Sequence, residues 1–172
     1  AGGGGRGIRE ITSDSELKEQ YPLARSEALA AFNDDSVYLE KKVVNPKHVE
    51  VQVMADQAGN TVHLGTRDCS IQRRNQKLVE IAPSMIQNEA LLEEICQTAI
   101  RAAKASNYVN AGTVEFLVDQ DFNYYFMEIN TRIQVEHTVS EMVTGIDLVR
   151  TQIQVALGET LPFTQDQIRI RG

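Results

Sequence analysis

The segment "YYFMEINTRIQVEHT", Tyr124 to Thr138, places Glu128, Asn130, Arg132, Gln134 and Glu136 on every second position, with Ile129, Ile133 and Val135 in three of the alternate places. Such alternation puts all five polar groups on one face of a strand. A hairpin centred between Asp121 and Phe122 would set Glu115 opposite Glu128. Directly opposed residues have Cβ atoms roughly 4.5–5.5 Å apart. Two carboxylates that close repel unless a divalent cation lies between them or one holds a proton. Carboxylate and amide oxygens are hard donors that suit Mg2+, which takes one or two carboxylates together with substrate phosphates. For any one of these residues a solvated strand face is the ordinary explanation. The set departs from it, because exposed strands usually carry Lys and Thr rather than a row of planar, multidentate groups. Mg2+-binding oxygens at one end of a cleft, with a guanidinium and a carboxylate beyond, would hold a phosphate and a second small anion.

Other stretches carry chemistry less specifically. Gly2, Gly3, Gly4 and Gly5 precede Arg6 and could present backbone N–H groups to phosphate oxygens, although the run matches neither GxxxxGK[ST] nor GxGxxG. A flexible linker explains it equally well. "QRRNQK", Gln72 to Lys77, has three cations within five residues and could grip phosphate or bicarbonate, a solvated basic loop being the alternative. His48 and His63 are single histidines on or near strands, and His137 has the opposite parity to Glu136 and points away from the cleft.

The elements that must position these groups follow from pattern. "TSDSELKEQYPLARSEALAAF" reads as a helix opened by a Ser13–Glu16 capping box, with Pro22 marking a break or a late start. Ser36–Val44 reads as a short strand, and "KHVEVQVMADQAGNTVHLG" as a hairpin turning on "AGN". The polar run "TRDCSIQRRNQKLVEIAP" ends at Pro83. From Asn88 to about Ser106, Leu91, Leu92, Ile95, Ala99, Ile100 and Ala103 have helical spacing. A second hairpin turns around Asp119–Asn123. A last helix opens with a Thr138–Glu141 capping box, shows Met142, Val143, Ile146, Val149, Ile153 and Leu157 on its apolar face, and closes at Gly158. Hairpins followed by helices predict an α+β architecture, an antiparallel sheet covered by helices on one side.

Composition narrows the function classes. The 172 residues suffice for one domain or parts of two, and 42% apolar with 24% charged residues is a soluble globular balance. No apolar run approaches the ~20 residues of a membrane span, and no signal peptide is visible. A net charge of −7 without a long basic stripe argues against nucleic acid. Cys69 and Cys96 are too few for a disulfide framework and too isolated for cysteine-held zinc, pointing to a reducing, cytoplasmic compartment. The start without Met and the stop after a strand-like run predict a fragment of a larger protein.

In order, "GGGGRG", "EKKVVNPKHVEVQV", "RDCSIQRRNQK", "GTVEFL" and "FMEINTRIQVEHTVSEMVTGIDLV" resemble biotin carboxylase, a member of the ATP-grasp ligases, essentially end to end. "NTRIQVEH" carries the specificity, since other ATP-grasp enzymes share the metal-binding Glu and Asn but not this continuation. The resemblance implies an ATP-grasp fold, with residues 1–42 as part of the lid and 43–172 as part of the carboxy-terminal core. It implies carboxylation of the biotin ureido nitrogen with MgATP (or Mn2+) and bicarbonate, through carboxyphosphate. By motif position, Gly2–Gly5 would cover the phosphates, Glu40, Lys41 and Val43 would meet adenine, and His48 would lie near the ribose and phosphates. Gln72 and Asn75 would lie by the nucleotide, and Lys77 would bind bicarbonate and carboxyphosphate. Glu115 and Glu128 would hold Mg2+, with Asn130 beside the second ion. Arg132, Gln134 and Val135 would hold bicarbonate and biotin, and Glu136 would be the base that deprotonates bicarbonate. The implied partners are a biotin carboxyl carrier protein or domain, a carboxyltransferase and the rest of the chain, with a homodimer for the complete enzyme.

Departures temper this. Asn75 stands where the family often has His, and Thr138 where many members have Pro. The family's amino-terminal domain, an ATP-binding lysine before the glycines and an arginine after Gly172 are absent, so the isolated piece is expected to turn over little or not at all. Thr138 leans toward pyruvate carboxylases and "MEINTR" toward the acyl-CoA, acetyl-CoA carboxylase type, the latter slightly preferred. Against these stand a catalytically silent nucleotide-binding or assembly fragment, and a carbamoyl-phosphate-forming ATP-grasp ligase, which "RIQVEH" disfavours.

Overall fold

The computed structural model of the chain describes residues 7–171; the glycines Gly2–Gly5 lie outside them. The chain divides into two compact units, residues 1–44 and 45–172.

In the first unit, helix α1 spans Asp14–Phe32. Ser13 caps it by accepting from the Glu16 N–H at 3.3 Å. The return half of the capping box is displaced by one residue: Glu16 Oε2 accepts from the Thr12 N–H and hydroxyl, each at 2.9 Å. Pro22 neither breaks nor delays the helix. The Lys18 carbonyl loses its intrahelical donor there, but α1 buries no residue, so water can replace it. The strand expected over 36–44 does not form. A strand needs a neighbour for its ladder, and the described residues of this unit contain none.

The second unit is built on five antiparallel strands: β1 (Lys47–Ala55), β2 (Thr61–Arg73), β3 (Gln76–Ile81), β4 (Asn110–Val118) and β5 (Tyr124–Asn130), in the order β3-β2-β1-β4-β5. The polar run after Thr66 belongs to this sheet. It is a continuation of β2 and a tight turn into β3, with Arg74 and Asn75 both at positive φ (52° and 62°). Helices cover both faces of the sheet, not one. On the first face, α2 (Glu89–Ala105), capped by Asn88, packs Leu91, Ile95, Cys96, Ala99 and Ala103 on Val49, Val51, Val53, Val114, Phe116 and Val118. The opposite face carries Met54, Val62, Leu64 and Ala111 under Leu148.

The expected last helix is two, α3 (His137–Thr144) and α4 (Leu148–Ala156), parted at Gly145, whose φ of 73° suits glycine. The stripe read as its apolar face is exposed at Met142, Val149, Ile153 and Leu157; Leu148, Thr151 and Val155 are buried instead. Breaking the helix resets its phase, so a face counted through Gly145 cannot hold.

Two bulges decide which side chains reach the second face. In β2, Val51 pairs with Thr66 but Val53 with His63, leaving an extra residue at Gly65, which has φ 81°. A glycine in the left-handed region is the usual seat of such a bulge. Parity flips there, so Val62, Leu64 and Arg67 share one face. In β5, Phe126 pairs with Phe116 but Glu128 with Glu115, leaving Met127 extra. Tyr124 and Phe126 therefore share a face with Phe116, which α2 covers, while Glu128 and Asn130 lie on the other. The hairpin turns around Asp121, not between Asp121 and Phe122; the bulge at Met127 restores the expected Glu115–Glu128 pair.

Candidate functional site

On the second face, Arg67, Glu50, Glu115 and Glu128 stand in a row across β2, β1, β4 and β5. Gln52, Thr113 and Asn130 form the next row. Three neighbouring carboxylates would repel one another. The fold relieves this from above: Lys77 of β3 directs its ammonium onto Glu50, onto Glu115 Oε1 at 3.0 Å and onto Glu136 Oε1 at 2.9 Å.

Each oxygen of Glu115 is occupied. Oε1 also accepts from Asn130 at 2.8 Å and Gln134 at 2.9 Å, and Oε2 faces His48 Nε2 at 2.8 Å. Burial alone would raise the pKa of Glu115; the His48 hydrogen bond and the Lys77 charge outweigh it and hold the carboxyl at about 2. Burial opposes the Lys77 charge, yet Glu50, Glu136 and Glu115 push its pKa above the ordinary lysine range. Glu136 is likewise lowered, its burial overcome by the Lys77 hydrogen bond. All three groups are thus charged at neutral pH. Asn130 Nδ2 also reaches Glu128 Oε1 at 3.4 Å, so one amide bridges the opposed acids.

At the β2 end of the row lies Arg67, fully buried. Its Nη2 donates to Glu50 Oε2 (2.7 Å), Gln134 Oε1 (2.8 Å) and Thr113 Oγ1 (3.2 Å), and its Nη1 to Gln52 Oε1 (2.8 Å) and Ser140 Oγ (2.9 Å). Sequence reasoning missed Glu50, Gln52 and Arg67. The available signal was Glu50 and Gln52 alternating with valines in a strand central enough to be buried on both faces.

The remaining expected residues are placed unevenly. The strand ends at Asn130, so the parity that assigned Arg132, Gln134 and Glu136 to one strand face does not apply. Gln134 and Glu136 nonetheless reach the cluster through an irregular loop. Glu136 is the N-cap of α3, where no side-chain cap bond engages its carboxylate and the helix end favours its negative charge. The expected Thr138–Glu141 box is replaced by this earlier start. Arg132 is exposed and donates to the Ile133 carbonyl at 3.2 Å, and Val135 is 91% exposed. Gln72 Nε2 meets His48 Nδ1 at 2.7 Å, fixing the ring that faces Glu115. Of the three cations in the basic run, only Lys77 joins the cluster; Arg73, Arg74 and Asn75 are exposed. Glu40 and Lys41 are exposed and Val43 half-buried in the first unit.

The donor set suits a hard divalent cation: Glu115 and Glu128 face each other across paired strands with an amide between them, and His48, Glu50 and Glu115 also offer ligand atoms within 4.8 Å of one another. No helix of the described residues is long and apolar enough to cross a membrane.

The family described as "Carbamoyl-phosphate synthase L chain, ATP binding domain" matches residues 1–164. Pyruvate carboxylase of Bacillus subtilis is 58% identical over 160 residues, 93% of this chain and 14% of that protein. A crystal structure of a biotin carboxylase–β,γ-ATP complex from Campylobacter jejuni superposes with a TM-score of 0.95 at 51% identity, covering 99% of this chain and 38% of that one. The biotin carboxylase domain of 2-oxoglutarate carboxylase from Hydrogenobacter thermophilus, solved with MgADP, ADP and bicarbonate, gives 0.93 at 53% identity over the same shares. The chain thus spans 14–38% of the length of these relatives. With a match over residues 1–164, the chain belongs to the carbamoyl-phosphate synthase L chain, ATP binding domain family.

Proposed function

We propose that this chain is the central part of a biotin carboxylase, which uses MgATP and bicarbonate to carboxylate the biotin ureido nitrogen on a carrier protein or domain, through carboxyphosphate. One observation carries the reading: the Lys77 ammonium is gathered by Glu50, Glu115 and Glu136 beside the opposed pair Glu115–Glu128. Glu115, Glu128 and Asn130 would hold Mg2+, which when bound supplies charge neutralisation at the transferring phosphoryl group.

Glu136 is ionised and rests against Lys77, so it can take the bicarbonate proton while the ammonium holds the resulting anion beside the γ-phosphoryl. Gln134 supplies an amide N–H toward the same position. Arg132, exposed on the loop, is free to meet the ureido oxygen of biotin as it gains charge. His48 and Gln72 orient one carboxylate oxygen of Glu115. Residues 1–42 serve as part of the lid and 43–172 as part of the core, in a cytoplasmic enzyme that hands carboxybiotin to a carboxyltransferase and is a homodimer when complete. The reading covers pyruvate, 2-oxoglutarate and acyl-CoA carboxylases alike, because it ends at the biotin half-reaction.

The test is ATP cleavage by the complete enzyme, with and without biotin and bicarbonate. Cleavage that depends on both is expected; turnover indifferent to both sinks the reading. Glu128→Gln is expected to raise the Mg2+ requirement by about tenfold or more and slow phosphoryl transfer, and an unchanged metal dependence would overturn the metal assignment.

A further inference from the structure

We infer that Arg67 is a positioning residue for this reaction: its buried guanidinium sets the orientation of the Gln134 amide and the Glu50 carboxylate, and through them presents Gln134 and Lys77 to the anionic substrate. The inference rests on the function proposed above.

Arg67 touches five side chains on four segments: Glu50 and Gln52 of β1, Thr113 of β4, Gln134 of the 131–136 loop and Ser140 of α3. All five bonds use the two terminal nitrogens; Nε has no partner. Two of the contacts lead outward to the cluster.

The first passes through Glu50. Arg67 holds Oε2, which leaves Oε1 turned to Lys77. The second passes through Gln134. Arg67 Nη2 is a donor 2.8 Å from Oε1, so the amide nitrogen must face Glu115, where it donates at 2.9 Å. A flipped amide would set donor against donor. Gln134 lies in a loop with no ladder to fix it, so this guanidinium contact decides which end of the amide faces Glu115. An NH2 group has two hydrogens and Glu115 takes one, leaving the other for an anion.

Stability alone is a weak reason for such a residue. A buried Arg–Glu pair commonly stabilises a fold no better than apolar side chains of the same volume. The planar fork, by contrast, specifies geometry in a way that no point charge can.

The test uses the complete enzyme and the substitution Arg67→Lys, which keeps the charge and removes the fork. The expected result is a kcat for biotin- and bicarbonate-dependent ATP cleavage lowered about 10–100-fold, as for other groups that orient a reacting shell. The apparent KM for MgATP should change less than about threefold, because the loss falls on groups engaged with bicarbonate. Combination with Gln134→Ala separates positioning from a merely structural role. If Arg67 acts through Gln134, the double variant is no more than about twofold worse than the poorer single one. Losses that multiply, or a kcat unchanged in Arg67→Lys, overturn the inference while leaving the proposed function standing. Should Arg67→Lys fail to fold, Ser140→Ala removes one guanidinium acceptor and takes its place: a several-fold loss of kcat is expected in the wild type and a smaller one, confined to the Glu50 route, in the Gln134→Ala background, and equal losses in both overturn the inference. A wild-type enzyme without biotin-dependent turnover removes the functional reading and this inference with it.

Discussion

Along residues 49–53 the two faces of β1 are buried to the same degree and held by different physics. Val49, Val51 and Val53 are fully buried under α2; Glu50 and Gln52, between them in sequence, are fully buried on the other side. The first face is cohesive through apolar area and dispersion, which have little direction, so an apolar side chain of similar volume serves nearly as well. The second is cohesive through directed contacts: Arg67 to five acceptors, Lys77 to three carboxylates, Glu115 to four donors. Removing one partner there leaves another buried and unpaired. One strand thus carries part of an apolar core and part of a buried polar array in alternate residues.

This contrast can be broken or sharpened by experiment on the complete enzyme. The largest effect is expected from Glu136→Gln, which removes the proposed base and one of the three carboxylates held by Lys77. Biotin carboxylation should fall about 10²–10⁴-fold, the range for a positioned general base, with MgATP binding retained. Preserved turnover with lost nucleotide affinity would contradict the role. Next is Ile95→Ala on the apolar face, where Ile95 is fully buried. A loss of about 2–5 kcal/mol is expected, read as a lower unfolding midpoint, with kcat of the folded fraction unchanged. A kcat falling in step with stability would mean that the faces are not separable.

The smallest effect concerns pH. The Glu115 carboxyl sits at about 2, below its unfolded value, and Glu136 is lowered as well. Their stabilisation is present above the unfolded carboxylate value of about 4.3 and is lost as pH falls below it. Lys77 is raised, so its contribution is complete below about 10.4 and lost only as pH rises through the higher folded value. The unfolding midpoint should stay level from about pH 7 to 9 and fall below about pH 4.5. A maximum near pH 4 would show that the cluster carries a proton on Glu115 and that Lys77 does not neutralise it.

How much of this was legible in the sequence differs by element. The α2 stripe was, because Leu91, Ile95, Ala99 and Ala103 repeat with the helix period and need no partner to be seen. The Ser36–Val44 strand was not, because local propensity cannot supply a neighbouring strand. Glu115 does face Glu128, but through a turn around Asp121 and an extra residue at Met127 rather than a uniform register. Gln134 and Glu136 reach the cluster, but by a loop whose path strand parity does not describe. Arg67 gave no signal, since its direction depends on the phase change at Gly65.

The sequence by itself determined which groups the chain contains: hard oxygen donors at Glu115, Glu128 and Asn130, a cation at Lys77, a carboxylate at Glu136, and motifs specific enough to place the family. Residue types and local periods are properties of short stretches and survive without a fold. Only the tertiary structure decided where those groups point. Each bulge adds one residue and inverts every side chain beyond it, so facing is set by ladder pairing between strands distant in sequence. That pairing assembled Arg67, Glu50, Glu115 and Glu128 into one row and turned a list of polar residues into a site.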